Sequence, residues 1–72
     1  MIEMSIHING RGEYLPADSM LSDVLQSRQI DPKSAKGVAV AINDRIVRKC
    51  DWPERQLEEG DAIEIVTAQQ GG

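Results

Sequence analysis

A single stretch of the chain has the residue spacing of an amphipathic helix, and it lies between stretches with the spacing of β-strands. The spacing predicts a helix over roughly residues 19–29, with one apolar stripe facing a sheet. Asp18 and Ser19 are types that cap helix N-termini. Asp31-Pro32 is expected to stop the helix, because the residue before a proline disfavours helical backbone. The apolar positions at helical spacing are Leu21, Val24 and Leu25.

The residues before the helix predict a β-hairpin. Met4–Ile8 alternates apolar and polar residues, which is the period of a half-buried strand. Asn9-Gly10 follows, and both residues tolerate the positive φ of a tight turn. Glu13–Leu15 is the expected return strand, and Pro16 is expected to end it because proline lacks a backbone donor.

A second hairpin is predicted after the helix. Residues 37–42 are apolar throughout, which is typical of a central strand with both faces covered. Asn43-Asp44 predicts the turn, and Arg45–Arg48 the next strand. Trp52–Leu57 is predicted to be irregular or a short helical turn.

The last strand is predicted at Ala62–Val66, after a turn at Glu59–Asp61. The first and last strands are expected to pair in parallel at the centre of the sheet. The prediction is therefore a single α+β domain over residues 1–66, with a mixed sheet packed on one helix. A flexible tail over residues 67–72 follows it.

The composition of this 72-residue chain excludes several functional classes. Its 12 acidic and 8 basic residues give a net charge of −4, so no nucleic acid is expected as a partner. Cys50 is the only cysteine, which allows no intramolecular disulfide and fits a reducing compartment. No signal peptide is predicted, and no stretch approaches the roughly 18 apolar residues of a membrane span. We therefore expect a cytoplasmic protein with no membrane contact.

No group of residues in the sequence is typical of a catalytic site. His7 is the only histidine and is expected to be a partly exposed strand residue. Cys50 has no second group that would use its thiol. No cluster of metal-ligand residues and no phosphate-binding glycine loop is visible. We therefore predict that the chain is not an enzyme and that it binds no metal or cofactor of its own.

The chain ends in Gly71-Gly72, a pair expected by chance at the end of about 0.5% of chains. Glycine has no Cβ, so a diglycine can pass through a slot too narrow for other residues. Residues 67–72 would reach about 20 Å if extended, enough to enter a partner's active site. A carboxylate is a poor acyl donor, but its adenylate has a good leaving group that a sulfur nucleophile can displace. The end of the chain is therefore predicted to become a thiocarboxylate.

The second half of the chain resembles the ThiS family, the sulfur carriers of thiamine biosynthesis. The first half agrees with that family in layout, a strand, a turn, a strand and then the helix. The residues that carry the resemblance are Val38–Asn43, Ile46–Arg48, Trp52, Leu57, Gly60-Asp61, Glu64–Val66, Ala68 and Gly71-Gly72.

The resemblance implies a β-grasp, ubiquitin-like fold and a set of partner enzymes. A ThiF-like adenylyltransferase would use ATP to adenylate Gly72, and the resulting adenylate would be converted to a thiocarboxylate. The sulfur would come from cysteine through a desulfurase persulfide, and the carrier would deliver it to thiazole synthase. Many relatives have a third glycine before the pair, where this chain has Gln70. Gln70 must therefore fit the partner's channel, or that channel is wider.

The predicted functional residues fall into two groups. Gly72 is the modified residue, and the residues before it give the tail access to the partner. The last strand is a candidate docking surface. The access residues are Ala68, Gln69, Gln70 and Gly71, and the docking residues are Ile63, Ile65 and Val66.

Several alternatives remain open on the sequence. The small subunit of molybdopterin synthase shares the diglycine and the fold, but usually looks longer and richer in aromatic residues near its tail, whereas this chain has no Phe. Sulfur carriers for cysteine synthesis or tRNA thiolation and a ubiquitin-like modifier are further candidates. A different class is a β-grasp interaction domain with an inert tail.

Overall fold

The computed structural model of the protein describes residues 2–30 and 37–67, and these form a five-stranded sheet with one α-helix and one 3₁₀ helix. The elements in chain order are β1 (Glu3–Ile8), β2 (Arg11–Pro16), α1 (Leu21–Ser27), β3 (Val38–Ile42), β4 (Arg45–Val47), the 3₁₀ helix (Lys49–Glu54) and β5 (Ala62–Thr67).

The last strand lies at the centre of the sheet. The strand order is β2-β1-β5-β3-β4, in which β5 runs parallel to β1 and antiparallel to β3. The two hairpins β1–β2 and β3–β4 therefore flank β5 on either side. This confirms the predicted parallel pairing of the first and last strands and the predicted β-grasp arrangement.

Both hairpins turn through two residues in left-handed backbone. Asn9 and Gly10 have φ of 52° and 83°, and Asn43 and Asp44 have φ of 53° and 68°. Two successive positive φ values define the turn type whose twist matches that of the flanking strands. The turns predicted from Asn9-Gly10 and Asn43-Asp44 are confirmed.

The helix is shorter than predicted and begins later. Met20 occupies the N-cap position in extended backbone, not Asp18 or Ser19. The Asp23 carboxylate accepts a hydrogen bond from the Met20 N–H at 2.9 Å, so a side chain inside the first turn satisfies the backbone at the helix start. Ser19 is buried, and its carbonyl accepts from the Leu57 N–H at 3.2 Å, which ties it to a distant segment.

The helix ends before the predicted stop signal. Gln29 adopts a left-handed φ of 63°, its N–H donates to the Gln26 carbonyl, and the Ile30 N–H donates to the Leu25 carbonyl. This pair of bonds satisfies carbonyls of the last turn. The predicted stop, Asp31-Pro32, lies outside the described residues.

The core lies between α1 and one face of the sheet. Trp52 of the 3₁₀ helix is 1% exposed, and its indole N–H donates to the Val47 carbonyl at 2.9 Å. Trp52 is thus a central core residue whose polar atom is satisfied. The other buried apolar residues are Met4, Ile6, Ile8, Leu21, Val24, Leu25, Val40, Ile42, Leu57, Ile63 and Ile65.

Several strand predictions need correction: β2 begins at Arg11 and includes Pro16, and β4 ends at Val47. β3 has one covered face, because Val40 and Ile42 are buried while Ala39 is exposed and Ala41 half-buried. Alanine is apolar but too small to require burial, so an alternating strand appeared as a continuous apolar run. The end of the last strand also differs from the prediction. Thr67 belongs to β5, so this strand extends one residue into the predicted tail.

Candidate functional site

The candidate site begins where β5 ends. Thr67 is the last residue of β5 and pairs with Val38 of β3. The residue predicted to be modified and the predicted access residues follow it and lie outside the described residues. These residues are Ala68, Gln69, Gln70, Gly71 and Gly72. What the structure establishes is the geometry of the strand from which they continue.

The C-terminal half of β5 is held by the side chain of Asn9. The Ile65 N–H donates to Asn9 Oδ1 at 2.8 Å, and Asn9 Nδ2 donates to the Ile65 carbonyl at 3.3 Å. The backbone N–H of Asn9 donates to the Ile63 carbonyl at 2.8 Å. Asn9 therefore makes three hydrogen bonds to β5, and the two made by its side chain are to Ile65, two residues before Thr67.

The N-terminal end of β5 is held by Asn43 in the opposite hairpin. The Ala62 N–H donates to Asn43 Oδ1 at 3.0 Å, and the Asn43 N–H donates to the Ala62 carbonyl at 2.8 Å. Asn43 Nδ2 donates to the carboxylate of the buried Asp61 at 3.0 Å. The two turn asparagines thus bind opposite ends of the central strand.

The predicted docking residues do not share one surface. Ile63 and Ile65 are 1% and 9% exposed and belong to the core, so their side chains are not available to a partner. Val66 is 60% exposed on the other face of the sheet. This corrects the predicted docking set, because successive residues of a strand point to opposite faces.

Apolar residues lie near Val66 on the open face of the sheet, and the exposed Glu64 lies beside them, directly opposite Ala41. Val66 is directly opposite Ala39, and Ala41 is directly opposite Ile46, which is 73% exposed. Directly opposed residues lie on the same face, so these side chains are neighbours. We call this group the open-face patch; it consists of Ala39, Ala41, Ile46 and Val66.

Sequence reasoning did not identify Ile46 or Ala39 as surface residues of this patch. The register between β3 and its two neighbours is what brings them beside Val66, and register depends on turn geometry. The two-residue turn at Asn43-Asp44 was the signal in the sequence that could have predicted this register for β4, since it places Ala41 opposite Ile46.

Other chemically interesting residues lie apart from this region. His7 is an exposed strand residue as predicted, and Cys50 is exposed at the start of the 3₁₀ helix. Within residues 2–30 and 37–67, no group of three or more His, Cys, Asp or Glu residues is arranged to hold a metal ion. No helix in the same ranges has the length and apolar character to cross a membrane.

Comparison with known proteins relates most of the chain to one family. The model of the ThiS family matches residues 6–72, which include the terminal diglycine. A relative from Thermus thermophilus, named sulfur carrier protein ThiS, is 33% identical over 67 residues. That alignment covers 93% of this chain and 98% of the relative.

Two solved structures from Geobacter metallireducens have a similar fold. The crystal structure of a thiamine biosynthesis protein (ThiS) has a TM-score of 0.74 and 22% identity, over 96% of this chain and all of that one. The solution structure of a thiamine biosynthesis protein has the same TM-score and 20% identity, over 96% of this chain and 88% of that one. At these identities the likeness is evidence for the fold alone.

Proposed function

The chain belongs to the ThiS family of sulfur carrier proteins, and we propose that it carries sulfur on its C-terminal Gly72 for thiazole formation in thiamine biosynthesis. The observation that carries the proposal is the extent of the family match, which runs through Gly71 and Gly72 and not only through the β-grasp core. The full-length similarity to a protein named as a sulfur carrier supports the same conclusion.

The proposed chemistry takes place at the Gly72 carboxylate. A carboxylate oxygen attacks the α-phosphorus of ATP, pyrophosphate leaves, and an acyl adenylate forms. A persulfide sulfur from a desulfurase system then attacks the acyl carbon and AMP leaves, which gives an acyl disulfide. A thiol cleaves the sulfur–sulfur bond and is oxidised to a disulfide, leaving the terminal thiocarboxylate that thiazole synthase consumes.

In this proposal the catalytic groups belong to the partners. A ThiF-like adenylyltransferase would bind ATP and catalyse adenylation, and this chain would contribute the acyl group and a docking surface. In this proposal the chain is a protein substrate and sulfur donor.

We propose the open-face patch as the docking surface for the adenylyltransferase. Val66 is one residue before the end of β5, so a partner bound at the patch is adjacent to the point where the tail leaves the sheet. Exposed Ile46 and Val66 provide apolar contacts of the kind found at interface centres. Docking and insertion of the tail would then occur on one partner.

The decisive experiment is intact mass measurement after incubation with the adenylyltransferase, ATP and a sulfur source. We expect a mass increase equal to replacement of one oxygen by sulfur. The matched control lacks Gly71 and Gly72 and should keep the fold, because β5 ends at Thr67 and its last core residue is Ile65. A sulfur-dependent mass increase in the truncated chain would refute the assignment to Gly72, and no increase in the full chain would refute the carrier proposal.

A further inference from the structure

Two asparagines, one from each hairpin turn, bind the two ends of β5 in equivalent ways. Asn9 and Asn43 have nearly the same φ, 52° and 53°, and each is the first residue of a two-residue turn. Each presents its side-chain oxygen to a backbone N–H of β5, that of Ile65 for Asn9 and that of Ala62 for Asn43. The central strand is therefore bound by a side-chain amide near each end.

The side-chain amide of Asn9 takes the place of the β1 backbone, which no longer pairs with β5 beyond Ile8. The parallel pairing of β1 with β5 ends at Ile8 and Ile63, because the chain then turns into β2. An asparagine side chain carries one carbonyl and one N–H₂ group, so it offers the same donor and acceptor as a peptide unit. It binds both the N–H and the carbonyl of Ile65 and extends the ladder by two residues.

The position of this contact relates it to the tail. From Ile65 to Thr67, β5 has β3 on one side. On the other side, among residues 2–30 and 37–67, the Asn9 side chain makes the last hydrogen bonds from the β1–β2 hairpin. Loss of the Asn9 amide would leave the end of β5 paired along one edge. A strand end paired on one edge samples more directions, and loosely held strand ends open at low free energy.

We propose that Asn9 is a positioning residue that sets the direction in which β5 presents the C-terminal tail to the activating enzyme. The inference rests on the proposed function, since it assumes that the tail enters a partner's active site. When only a fraction of molecules present the tail correctly, the apparent affinity falls by that fraction. Asn9 therefore raises the competent fraction without touching the reacting atoms.

The test compares Asn9→Gly with the matched control Asn43→Gly. Glycine keeps the left-handed turn in both variants and removes only the side-chain amide. Adenylation is measured by ATP–pyrophosphate exchange with the purified adenylyltransferase, at a temperature where both variants are folded. We expect KM for the Asn9→Gly chain to rise roughly fivefold to tenfold with kcat nearly unchanged, the range given by one or two lost hydrogen bonds. KM for Asn43→Gly should stay within twofold of the wild type.

Amide hydrogen exchange provides a readout that is independent of the partner. Exchange of the Ile65 N–H should accelerate in Asn9→Gly, and exchange of the Ala62 N–H in Asn43→Gly. Asn9→Asp is a second variant: it keeps the acceptor for the Ile65 N–H but places an oxygen against the Ile65 carbonyl. We expect its KM to lie between those of the wild type and Asn9→Gly.

The outcomes separate this inference from the proposed function. Wild-type protein that is never adenylated would refute both. Wild-type protein that is adenylated, with equal KM in Asn9→Gly and in the wild type, would refute the positioning role alone. Equal increases in KM for Asn9→Gly and Asn43→Gly would also refute it, because the asparagines would then act only on stability.

Discussion

At the scale of single residues, Asp61 is the buried charge on which the start of β5 depends. It is 4% exposed and accepts hydrogen bonds from the Glu58 N–H at 2.8 Å and from Asn43 Nδ2 at 3.0 Å. Arg55 Nη2 lies 4.0 Å away, and its side chain is 39% exposed, so this ion pair contributes little. The two hydrogen bonds therefore carry the stabilising effect of the carboxylate.

Asp61→Asn should lower the free energy of unfolding by about 1–3 kcal/mol. An asparagine amide offers one acceptor oxygen, whereas Asp61 uses both of its oxygens to accept from Glu58 and Asn43. Urea denaturation followed by circular dichroism measures the change. Glu64→Gln, in the strand that follows Asp61, is the matched control, since Glu64 is exposed, and its effect should stay within about 0.5 kcal/mol. Equal effects of the two substitutions would contradict this role for Asp61.

At the scale of elements, local sequence patterns predicted the strands and turns well. Alternation over Met4–Ile8 and the pairs Asn9-Gly10 and Asn43-Asp44 are signals contained within a few residues, and the structure confirms each. The central, parallel position of β5 was a hypothesis that these local patterns do not require, and the observed strand order confirms it.

Features that depend on distant contacts could not be predicted in the same way. The alternation of Ile63, Glu64 and Ile65 places both isoleucines on one face, but the residues that lie beside Val66 on the other face depend on the register of β5 against β3. The helix begins after Met20 because Ser19 is held by Leu57, which is distant in sequence. The candidate site was predicted at the tail from its chemistry, whereas the open-face patch required the assembled sheet.

The start of α1 gives a test at this scale. Asp23→Ala should lower the free energy of unfolding by about 1 kcal/mol, because it removes the acceptor for the Met20 N–H and an acidic residue of the first turn. Asp18→Ala is the same chemical change just before the helix and should have little effect, because the Asp18 carboxylate accepts no hydrogen bond from residues 2–30 and 37–67. A larger loss for Asp18→Ala, measured by urea denaturation, would restore Asp18 as the cap.

At the scale of the whole molecule, the size of the chain explains why one face of the sheet is open. In this 72-residue chain the helices among residues 2–30 and 37–67, α1 and the 3₁₀ helix, both lie on the face of the five-stranded sheet that bears Ile63 and Ile65. The other face keeps both an exposed edge residue, Tyr14 on β2, and the open-face patch near the end of β5. The proposed docking surface is thus a consequence of the architecture.

The docking role of the open-face patch is tested by placing one charge at two positions of the same face. Val66→Glu should raise KM for adenylation roughly tenfold, because a carboxylate would have to be buried in the interface. Tyr14→Glu is the matched control: Tyr14 is 74% exposed and directly opposite Ser5, on the open face but at the β2 edge of the sheet. Its KM should stay within twofold of the wild type.

Both substitutions are at exposed positions, so the free energy of unfolding of each variant should lie within about 1 kcal/mol of the wild-type value. If KM rises equally in both variants, binding of the partner depends on the charge of the whole face and not on the apolar contacts near the end of β5, which would contradict the proposed docking role. If KM rises only in Tyr14→Glu, docking occurs at the β2 edge, and the tail must then cross the sheet to reach the active site.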